Sequence, residues 1–246
     1  MHRSTDQLMN ITWLGQIEYA RALLLQEELA HQRLDGEIED TLLLLEHPPT
    51  ITFGRAASQA NLLASSALLR REGVSIYDTD RGGDITYHGP GQLVGYPIVN
   101  LRDHGRDVHQ FLRNIEAALI DALSEFGLMA GRHPPHTGVW IEDRKIAAIG
   151  IKVSRWVTTH GFALNVAPNM DHFGLIVPCG IRRFGVTSME RELKRSVSLS
   201  EVQDVVMLAF QQTFSTPIDR TAATFADQSP PQQPGTHAQA RRSSRA

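Results

Sequence analysis

The chain alternates between two patterns of hydrophobic and polar residues. Apolar positions three to four residues apart, the spacing of one helix face, predict four helices, at residues 17–34, 62–72, 108–126 and 198–214. Short apolar or alternating runs predict strands, at residues 10–14, 41–45, 51–53, 74–77, 139–141, 146–153 and 162–166, and over much of 85–99. Glycines follow the first three helices, and a Ser198–Glu201 capping box opens the fourth.

The order of these elements predicts the fold class. Residues 51–53 are expected to form the neighbouring strand of 41–45, and residues 139–141 and 146–153 an antiparallel hairpin. Strands come in consecutive groups with helices between the groups, which is not the regular alternation of a doubly wound fold. We therefore predict an α/β architecture of the α+β type, with mixed, largely antiparallel sheets and flanking helices.

Composition changes near the C-terminus. Residues 221–246 hold Pro230, Pro231, Pro234 and Gly235 among polar side chains, with Phe225 as the only large apolar residue. Such a segment buries too little surface to offset the entropy of ordering it. We predict one folded domain, which would be the catalytic domain of an enzyme, over residues 1–220 and a disordered tail over residues 221–246.

Charge and cysteine content narrow the class of protein. The 246 residues carry 24 basic and 27 acidic side chains, without the basic excess of a dedicated nucleic-acid binder. The longest aliphatic run, residues 42–45, is far too short to cross a membrane. The N-terminus lacks the pattern of a secretory signal, and the single cysteine, Cys179, forms no internal disulfide. We expect a cytoplasmic protein with neither nucleic acid nor membrane as partner.

The first stretch whose residues could bind a ligand is the glycine-rich run of residues 81–92, RGGDITYHGPGQ. Its glycines permit unusual backbone conformations and a close approach of a ligand to the main chain. A plain turn between two strands is the alternative interpretation. The spacing of Gly89, Gly91 and Gly95 does not match a dinucleotide-binding fingerprint.

Two further stretches carry titratable side chains. Residues 145–150, KIAAIG, begin with Lys145, which is either a functional amine or a solvated charge in a hairpin turn. Residues 160–165, HGFALN, begin with His160, which is either functional or a core histidine bonded to backbone. His133 and His136 are spaced like metal ligands, but no nearby cysteine or carboxylate completes a set, which favours a simple loop.

Cys179 forms the fourth stretch, between Pro178 and Gly180 and ahead of Arg182 and Arg183. A free cysteine is often only a small buried hydrophobe. Cationic neighbours favour the thiolate, and a fall in pKa from about 8.5 to about 7 raises the ionised fraction at pH 7 from about 3% to roughly half. Cys179 is therefore a candidate nucleophile.

Together, the four stretches resemble the octanoyltransferases of lipoate biosynthesis, over roughly residues 10–215. That family shares its fold with the catalytic domains of biotin and lipoate protein ligases. The resemblance implies transfer of an octanoyl group from acyl carrier protein to a lysine of lipoyl domains, the first step of protein lipoylation. The acceptors would be the lipoyl domains of 2-oxo-acid dehydrogenases and glycine-cleavage H protein. No cofactor or metal is implied.

The resemblance also implies roles for individual residues. Cys179 matches the nucleophile that carries the acyl group as a thioester, and Lys145 the lysine that lowers its pKa and transfers protons. Lys152, on the strand face of Ala148 and Gly150 by alternation, is set aside because Lys145 aligns with the motif. The implied substrate-binding residues are Arg81, Gly82, Gly83, Asp84, Ile85, Thr86, Tyr87, His88, Ala148, Ile149, Gly150, Gly161, Phe162 and Ala163.

Three other functions remain open from sequence. An ATP-dependent lipoate or biotin protein ligase would share the fold but needs no nucleophilic cysteine. An amidotransferase would move octanoyl between lipoyl domains. A catalytically inactive module would only dock carrier proteins, which the joint presence of Cys179 and Lys145 argues against.

Overall fold

The computed structural model describes residues 9–177 and 184–214, and the backbone of residues 218–219. The strands are β1 (Met9–Gln16), β2 (Thr41–Glu46), β3 (Thr50–Phe53), β4 (Ser75–Asp78), β5 (Ile85–His88), β6 (Gln92–Ile98), β7 (Gly131–His133), β8 (His136–Ile141), β9 (Arg144–Ser154), β10 (Val157–Asn165), β11 (Gly185–Val186) and β12 (Ile218–Asp219). The helices are α1 (Tyr19–Asp35), α2 (Ser66–Arg71), α3 (Val108–Ser124), α4 (Met189–Leu193) and α5 (Leu199–Phe214). Two 3-10 helices, Gln59–Asn61 and Met170–Leu175, lie in connections.

A nine-stranded sheet forms the centre of the molecule. Its order is β12-β1-β2-β6-β10-β9-β8-β7, with β11 paired to β9. The pairs β2–β6, β6–β10, β10–β9, β9–β8 and β8–β7 are antiparallel, while β1–β2, β1–β12 and β9–β11 are parallel. The predicted mixed, largely antiparallel sheet with flanking helices is confirmed.

Helices α3 and α5 cover one face of this sheet. The side chains of α3 that repeat at helical spacing, such as Phe111, Ile115 and Leu119, are buried against Phe162 and Leu164 of β10. The Asp107 carboxylate accepts the Gln110 N–H at 2.9 Å and caps the start of α3. This packing makes β10 and its neighbours a rigid floor for the opposite face.

The opposite face of the large sheet is covered by α1 and by a second, three-stranded sheet of order β4-β3-β5. Helix α1 ends at Gly36, whose φ of +77° is the left-handed conformation that favours glycine. The buried Arg33 near its end donates to Asp40 at 2.6 Å, which ties α1 to the start of β2. The space between this cover and the sheet is where the predicted motifs meet.

Three sequence predictions about elements are wrong. Residues 51–53 form β3, which pairs with β4 and β5 in the small sheet and is not the neighbour of β2. The run predicted as one strand over 85–99 is split by the turn at 89–91 into β5 and β6, which belong to different sheets. Helix α2 begins at Ser66, not residue 62, because the Ser65 hydroxyl caps it by accepting the Leu68 N–H.

The other long elements agree with the sequence to within a few residues. The hairpin of β8 and β9 and the helices α1, α3 and α5 lie where predicted. The predicted tail, residues 221–246, lies outside the described residues. No helix of the described segments is long and apolar enough to cross a membrane.

Candidate active site

A cavity that opens to solvent lies between the large sheet and the glycine-rich segment of residues 81–88, with about 520 Å³ of empty space including the solvent at its mouth. Lys145 and thirteen of the fourteen predicted substrate-binding residues line it: Arg81, Gly82, Gly83, Asp84, Ile85, Thr86, His88, Ala148, Ile149, Gly150, Gly161, Phe162 and Ala163. Three motifs that are far apart in sequence are thus brought around one space. Tyr19, Tyr96 and His160 complete the described lining.

Tyr87 is the predicted site residue that does not line the cavity. Strand alternation turns its side chain into the core under the small sheet, where it is fully buried. Its ring packs against Phe173, and its hydroxyl lies 2.7 Å from Nδ1 of His172. The structure therefore places the Tyr87 side chain in the core of the small sheet, outside the cavity lining, and its contact with substrate stays a prediction.

Cys179 lies outside the described residues, which stop at Val177 and resume at Phe184. The described residues on both sides are tied to the cavity. Val177 donates its N–H to the Asn61 carbonyl at 2.7 Å, and the Asn61 side chain donates to Asp84 at 2.8 Å.

On the far side of this segment, β11 runs parallel to the start of β9, with Val186 level with Lys145. The N–H of Thr187, the next residue, donates to the Lys145 carbonyl at 3.0 Å. The chain therefore leaves one border of the cavity before Cys179 and returns beside Lys145 after it.

Arg81 fixes the glycine-rich segment to the small sheet. Its guanidinium is buried and donates to the Thr52 carbonyl at 2.8 Å and to the Thr52 hydroxyl at 2.9 Å. Gly82 then crosses β9, donating its N–H to the Ile151 carbonyl at 2.9 Å. A methyl group on Gly150 would stand 2.6 Å from the Gly82 carbonyl oxygen, so only glycine at 150 permits this crossing.

Lys145 reaches the cavity because of a β-bulge. Val139 of β8 pairs with Ala147 of β9, but the next residue, Trp140, pairs with Lys145, so that Ile146 is an extra residue. Both Ile146 and Ala147 are consequently buried in the core. An extra residue reverses the alternation of the strand, and Lys145 faces the cavity, which strict alternation would not predict.

Aromatic side chains of β7 and β8 lie beside Lys145 and Phe184. The side-chain nitrogen of Lys145 lies 4.8 Å from the centre of the Trp140 ring, within the range of a cation–π contact. The Phe184 ring packs edge-on against His133, His136 and Trp140, at 4.8, 5.4 and 5.5 Å. In the described segments no three histidine, cysteine or carboxylate side chains are grouped to hold a metal, and His133 and His136 form part of this aromatic cluster.

Glu116 supports the same hairpin from below. It is fully buried on α3, yet its carboxylate accepts from Arg113 at 2.6 Å, from Arg132 at 2.8 Å and from the Gly138 N–H at 3.1 Å. Gly138 has a φ of +127°, and a methyl group there would meet the Lys145 side chain. The network fixes the strand that faces the bulge.

The other end of the cavity is a buried cluster of Tyr19, His47, His88 and Tyr96. His47 Nδ1 lies 2.7 Å from the Ile17 carbonyl, which can only accept, so Nδ1 carries the proton. Nε2 of His47 therefore accepts from the Tyr96 hydroxyl at 2.7 Å. Burial lowers the pKa of His47 to about 4 and raises the pKa of Tyr96, so both are neutral at pH 7.

His88 is neutral for the same reason. Burial, with the neighbouring His47 adding to it, lowers the pKa of His88 well below its usual value. His88 Nδ1 lies 2.8 Å from the side-chain oxygen of Gln92, whose amide nitrogen donates to Asn165 at 2.9 Å. The region around these rings thus presents neutral groups to the cavity.

His160 stands at the edge of this end, beside Asp80 and Lys152. Its Nε2 donates to Asp80 at 2.9 Å, and Lys152 donates to the same carboxylate. Burial opposes the ionisation of Asp80, but the hydrogen bonds from Lys152 and His160 outweigh it and lower the pKa of the carboxyl. Lys152 is therefore paired at the end of the strand away from Lys145.

Sequence reasoning missed two lining residues, Tyr19 and Tyr96, and two residues beside Lys145, Gly138 and Trp140. Tyr19 and Tyr96 lie in an ordinary helix start and a buried strand, and nothing in their local pattern distinguishes them from core residues. Trp140 and Gly138 precede the KIAAIG stretch on the partner strand of the predicted hairpin. A hairpin register would have placed them near Lys145, but a bulge cannot be read from periodicity.

Known proteins similar to this chain show its family. A family described as the lipoyl protein ligase A/B catalytic domain matches residues 18–211. An octanoyltransferase of Solibacter usitatus is 53% identical over 201 residues, which are 82% of this chain and 90% of that protein. An octanoyltransferase of Myxococcus xanthus is 51% identical over 207 residues, 82% of this chain and 58% of that protein.

Solved structures of more distant proteins show the same fold. A bipartite lipoate protein ligase of Thermoplasma acidophilum superposes with a TM-score of 0.70 at 17% identity, covering 89% of this chain and 88% of its own. A lipoate-protein ligase A bound with ATP gives a TM-score of 0.67 at 16% identity, with 90% of each chain covered. At these identities the likeness concerns the fold alone, and it agrees with the lipoate ligase architecture expected from sequence.

Proposed function

This chain belongs to the lipoyl protein ligase A/B catalytic domain family, and from that membership we propose that it transfers an octanoyl group to a lysine of a lipoyl domain. Its close relatives are named octanoyltransferases at about half identity over most of the chain. The family match ends at residue 211, within the catalytic domain predicted over residues 1–220. The chain is on this basis an acyltransferase of protein lipoylation.

The donor is the octanoyl thioester of acyl carrier protein, and Cys179 is the group that takes the acyl chain from it. The observation that carries this assignment is the pairing of β11 with Lys145, six residues after Cys179. On the other side, Val177 is linked through Asn61 to Asp84 of the glycine-rich segment. The described residues before and after Cys179 therefore both contact residues that line the cavity, which supports this assignment.

In the first step, the Cys179 thiolate attacks the carbonyl carbon of the donor thioester. A new carbon–sulfur bond forms, the bond to the carrier sulfur breaks, and the leaving thiolate takes a proton from the Lys145 ammonium. The contact with Trp140 positions the Lys145 side chain, which lines the cavity. Exchange of one thioester for another requires no ATP.

In the second step, the neutral amine of the acceptor lysine attacks the acyl-enzyme. A carbon–nitrogen bond forms and the bond to Cys179 breaks, which restores the thiolate. Lys145, left neutral by the first step, takes the surplus proton of the attacking amine and becomes the ammonium again. The substrate-binding role of the lining residues follows from the same arrangement, since the cavity floor of β9 and β10 extends away from Lys145.

The intact mass of the enzyme tests this proposal. Incubated with octanoyl-acyl carrier protein and no acceptor, the wild type should gain one octanoyl group on Cys179, and C179A should gain none. Added lipoyl domain should then remove the adduct without ATP. An adduct on another residue, or a strict need for ATP, contradicts the mechanism. Octanoylated H protein serves as the comparison donor, and faster transfer from it than from the carrier would favour an amidotransferase.

A further inference from the structure

A buried carboxylate lies beneath the hairpin that carries Lys145. Glu116 of α3 is fully buried, on the face of the large sheet opposite the candidate active site. Its Oε2 accepts from Arg113 at 2.6 Å and from Arg132 at 2.8 Å, and its Oε1 accepts the Gly138 N–H at 3.1 Å. Burying a carboxylate is costly unless its oxygens are paired, and a buried ion pair often adds no net stability. The contact with Gly138 is the one that leads toward Lys145.

Gly138 departs from the regular geometry of β8. In the described pairing of β8 with β7 and β9, Gly138 is opposite no residue. Its φ of +127° is open to glycine but strained for other residues. Its N–H is directed out of the sheet toward α3, where it donates to Glu116. The Glu116 carboxylate therefore holds a backbone group of β8 that strand pairing does not hold.

The Lys145 stem occupies the space that a side chain at position 138 would fill. A methyl group on Gly138 would stand 3.3 Å from Cε of Lys145 and 2.7 Å from the Ala147 carbonyl oxygen. The stem thus lies on the bare backbone of Gly138, and the lysine nitrogen lies 4.8 Å from the centre of the Trp140 ring, two residues further along β8. The bulge at Ile146 turns Lys145 toward the cavity, and Gly138 supplies the surface along which its side chain extends.

We propose that Glu116 is a positioning residue for octanoyl transfer: by holding the Gly138 peptide, it keeps the place of the Lys145 stem open and orients the amine within the cavity. The inference rests on the proton-transfer role of Lys145 proposed above. A proton moves between groups only within hydrogen-bond reach, and a displacement of about 1 Å caused by a distant substitution can cost about 100-fold in rate. Through one backbone hydrogen bond, a carboxylate on the opposite face of the sheet thus acts on the reaction.

The variant E116D separates this hydrogen bond from the pairing of charges. It keeps the carboxylate but shortens the side chain by one methylene group. Arg113 and Arg132 are long, partly exposed side chains that can follow the carboxylate, whereas the Gly138 N–H belongs to the backbone and cannot. E116D should therefore fold and lose the Gly138 contact. E116Q, whose single carbonyl oxygen cannot serve both guanidinium groups and the Gly138 N–H, is a second variant expected to act in the same direction.

The position of the Lys145 amine can be measured without activity, because the chain has three lysines, Lys145, Lys152 and Lys194. Reductive methylation with 13C-labelled formaldehyde keeps their charge and gives each lysine an NMR signal, and K145M identifies the one from Lys145. The ring current of Trp140 should displace that signal in the wild type. In E116D the signal should move toward that of a solvent-exposed lysine, while the signals of Lys152 and Lys194 stay unchanged.

Kinetics test the consequence for the reaction. E116D should lower kcat for octanoyl transfer by about tenfold to a hundredfold and leave KM for octanoyl-acyl carrier protein within about twofold, because neither Glu116 nor Gly138 lines the cavity. Combined with K145M, E116D should have no further effect, since a residue that acts only through Lys145 loses its influence when that lysine is absent. A merely structural role would lower the rate by the same factor in both backgrounds.

D40N is the matched control. Asp40 is likewise a buried carboxylate that accepts from an arginine, Arg33, and from a backbone N–H, that of Asn100, but it precedes β2 at the opposite end of the strands from Lys145. D40N should lower the temperature of thermal unfolding without changing kcat or the Lys145 signal.

Two results would overturn the inference: a wild-type Lys145 signal in folded E116D and E116Q, or equal losses of kcat in E116D and D40N. Either result leaves the proposed function intact as long as the wild type transfers octanoyl. Absence of octanoyl transfer by the wild type would instead refute the proposed function, and with it the role of Glu116 in the reaction.

Discussion

The two ends of the active-site cavity both contain aromatic rings, but one holds a lysine and the other buried, neutral histidines. At one end, Lys145 lies over the Trp140 ring, beside the strand that follows the cysteine segment. At the other, His47 and His88 are buried and neutral beside tyrosine hydroxyls. In the proposed mechanism one end thus supplies a lysine for proton transfer, while the other lines the cavity with neutral rings beside the Arg81 guanidinium, which is held by Thr52.

Lys145 and Lys152 lie on the same strand, and replacing each of them in turn tests the difference between the two ends of the cavity most directly. K145M should lower kcat/KM for octanoyl transfer by about 10²- to 10⁴-fold, the usual contribution of a group that transfers protons in the transition state. The same change should slow alkylation of Cys179 by iodoacetamide at neutral pH, because in the proposed mechanism Lys145 is the cation that stabilises the thiolate.

K152M is the control for K145M. Lys152 pairs with Asp80 at the remote end, where both side chains are partly exposed and such a pair contributes at most about 1 kcal/mol. The variant should therefore keep most of its activity and its alkylation rate. If the two variants lose activity equally, the distinction between the two ends is wrong.

Lowering the pH should reduce the free energy of unfolding, because the buried histidines of the neutral end are held unprotonated by the fold. A histidine whose pKa is lowered by folding, to about 4 for His47 from 6.5, takes up its proton more readily in the unfolded chain. Its contribution is thus complete above pH 6.5 and is lost as the pH falls toward 4, by roughly 3 kcal/mol for such a difference. The free energy of unfolding in urea, measured from pH 7 to pH 4.5, should fall accordingly.

H47Q should make this fall shallower, though not remove it, since burial lowers the pKa of His88 and His160 in the same direction. H109Q, at an exposed position of α3, serves as the control and should keep the wild-type slope. A wild-type slope in H47Q would mean that His47 is not held neutral by the fold.

The sequence was most informative where local pattern and three-dimensional position coincide. Helix α3, for example, follows from its apolar spacing, and residues 144–154 from the hairpin pattern. Among the described motif residues, all except Tyr87 line one cavity: residues 148–150 and 161–163 are level on the paired strands β9 and β10, and the segment of residues 81–88 crosses above them.

What the sequence could not predict depends on departures from regular geometry and on sheet membership. The bulge at Ile146 decides which way Lys145 points, and the positive φ of His160 decides which side its ring occupies. The assignment of β3 and β5 to a second sheet arises from long-range pairing. The periodicity of apolar residues cannot predict the bulge, the positive φ or the sheet membership, because it assumes unbroken alternation and does not identify which strands pair.

The smallest of the expected effects concerns the crossing of the glycine-rich segment over β9. A methyl group in G150A would lie 2.6 Å from the Gly82 carbonyl, a backbone atom held by the hydrogen bond from Gly82 to Ile151. Such overpacking should lower the free energy of unfolding by about 1–3 kcal/mol. Unfolding in urea measures it.

The matched control is G131A, in β7, where no atom lies within 4 Å of the added methyl group. It should change stability by well under 1 kcal/mol. If G150A is as stable as G131A, then the glycine-rich segment of residues 81–88 can shift at little cost, and its crossing over β9 does not fix its position above the cavity. Gly150 and His47 share no partner among the described hydrogen bonds. The free energy of unfolding should therefore fall in G150A and not in G131A, while its decrease with acid stays as in the wild type. That result would show that the glycine-rich segment and the neutral end are stabilised by separate contacts.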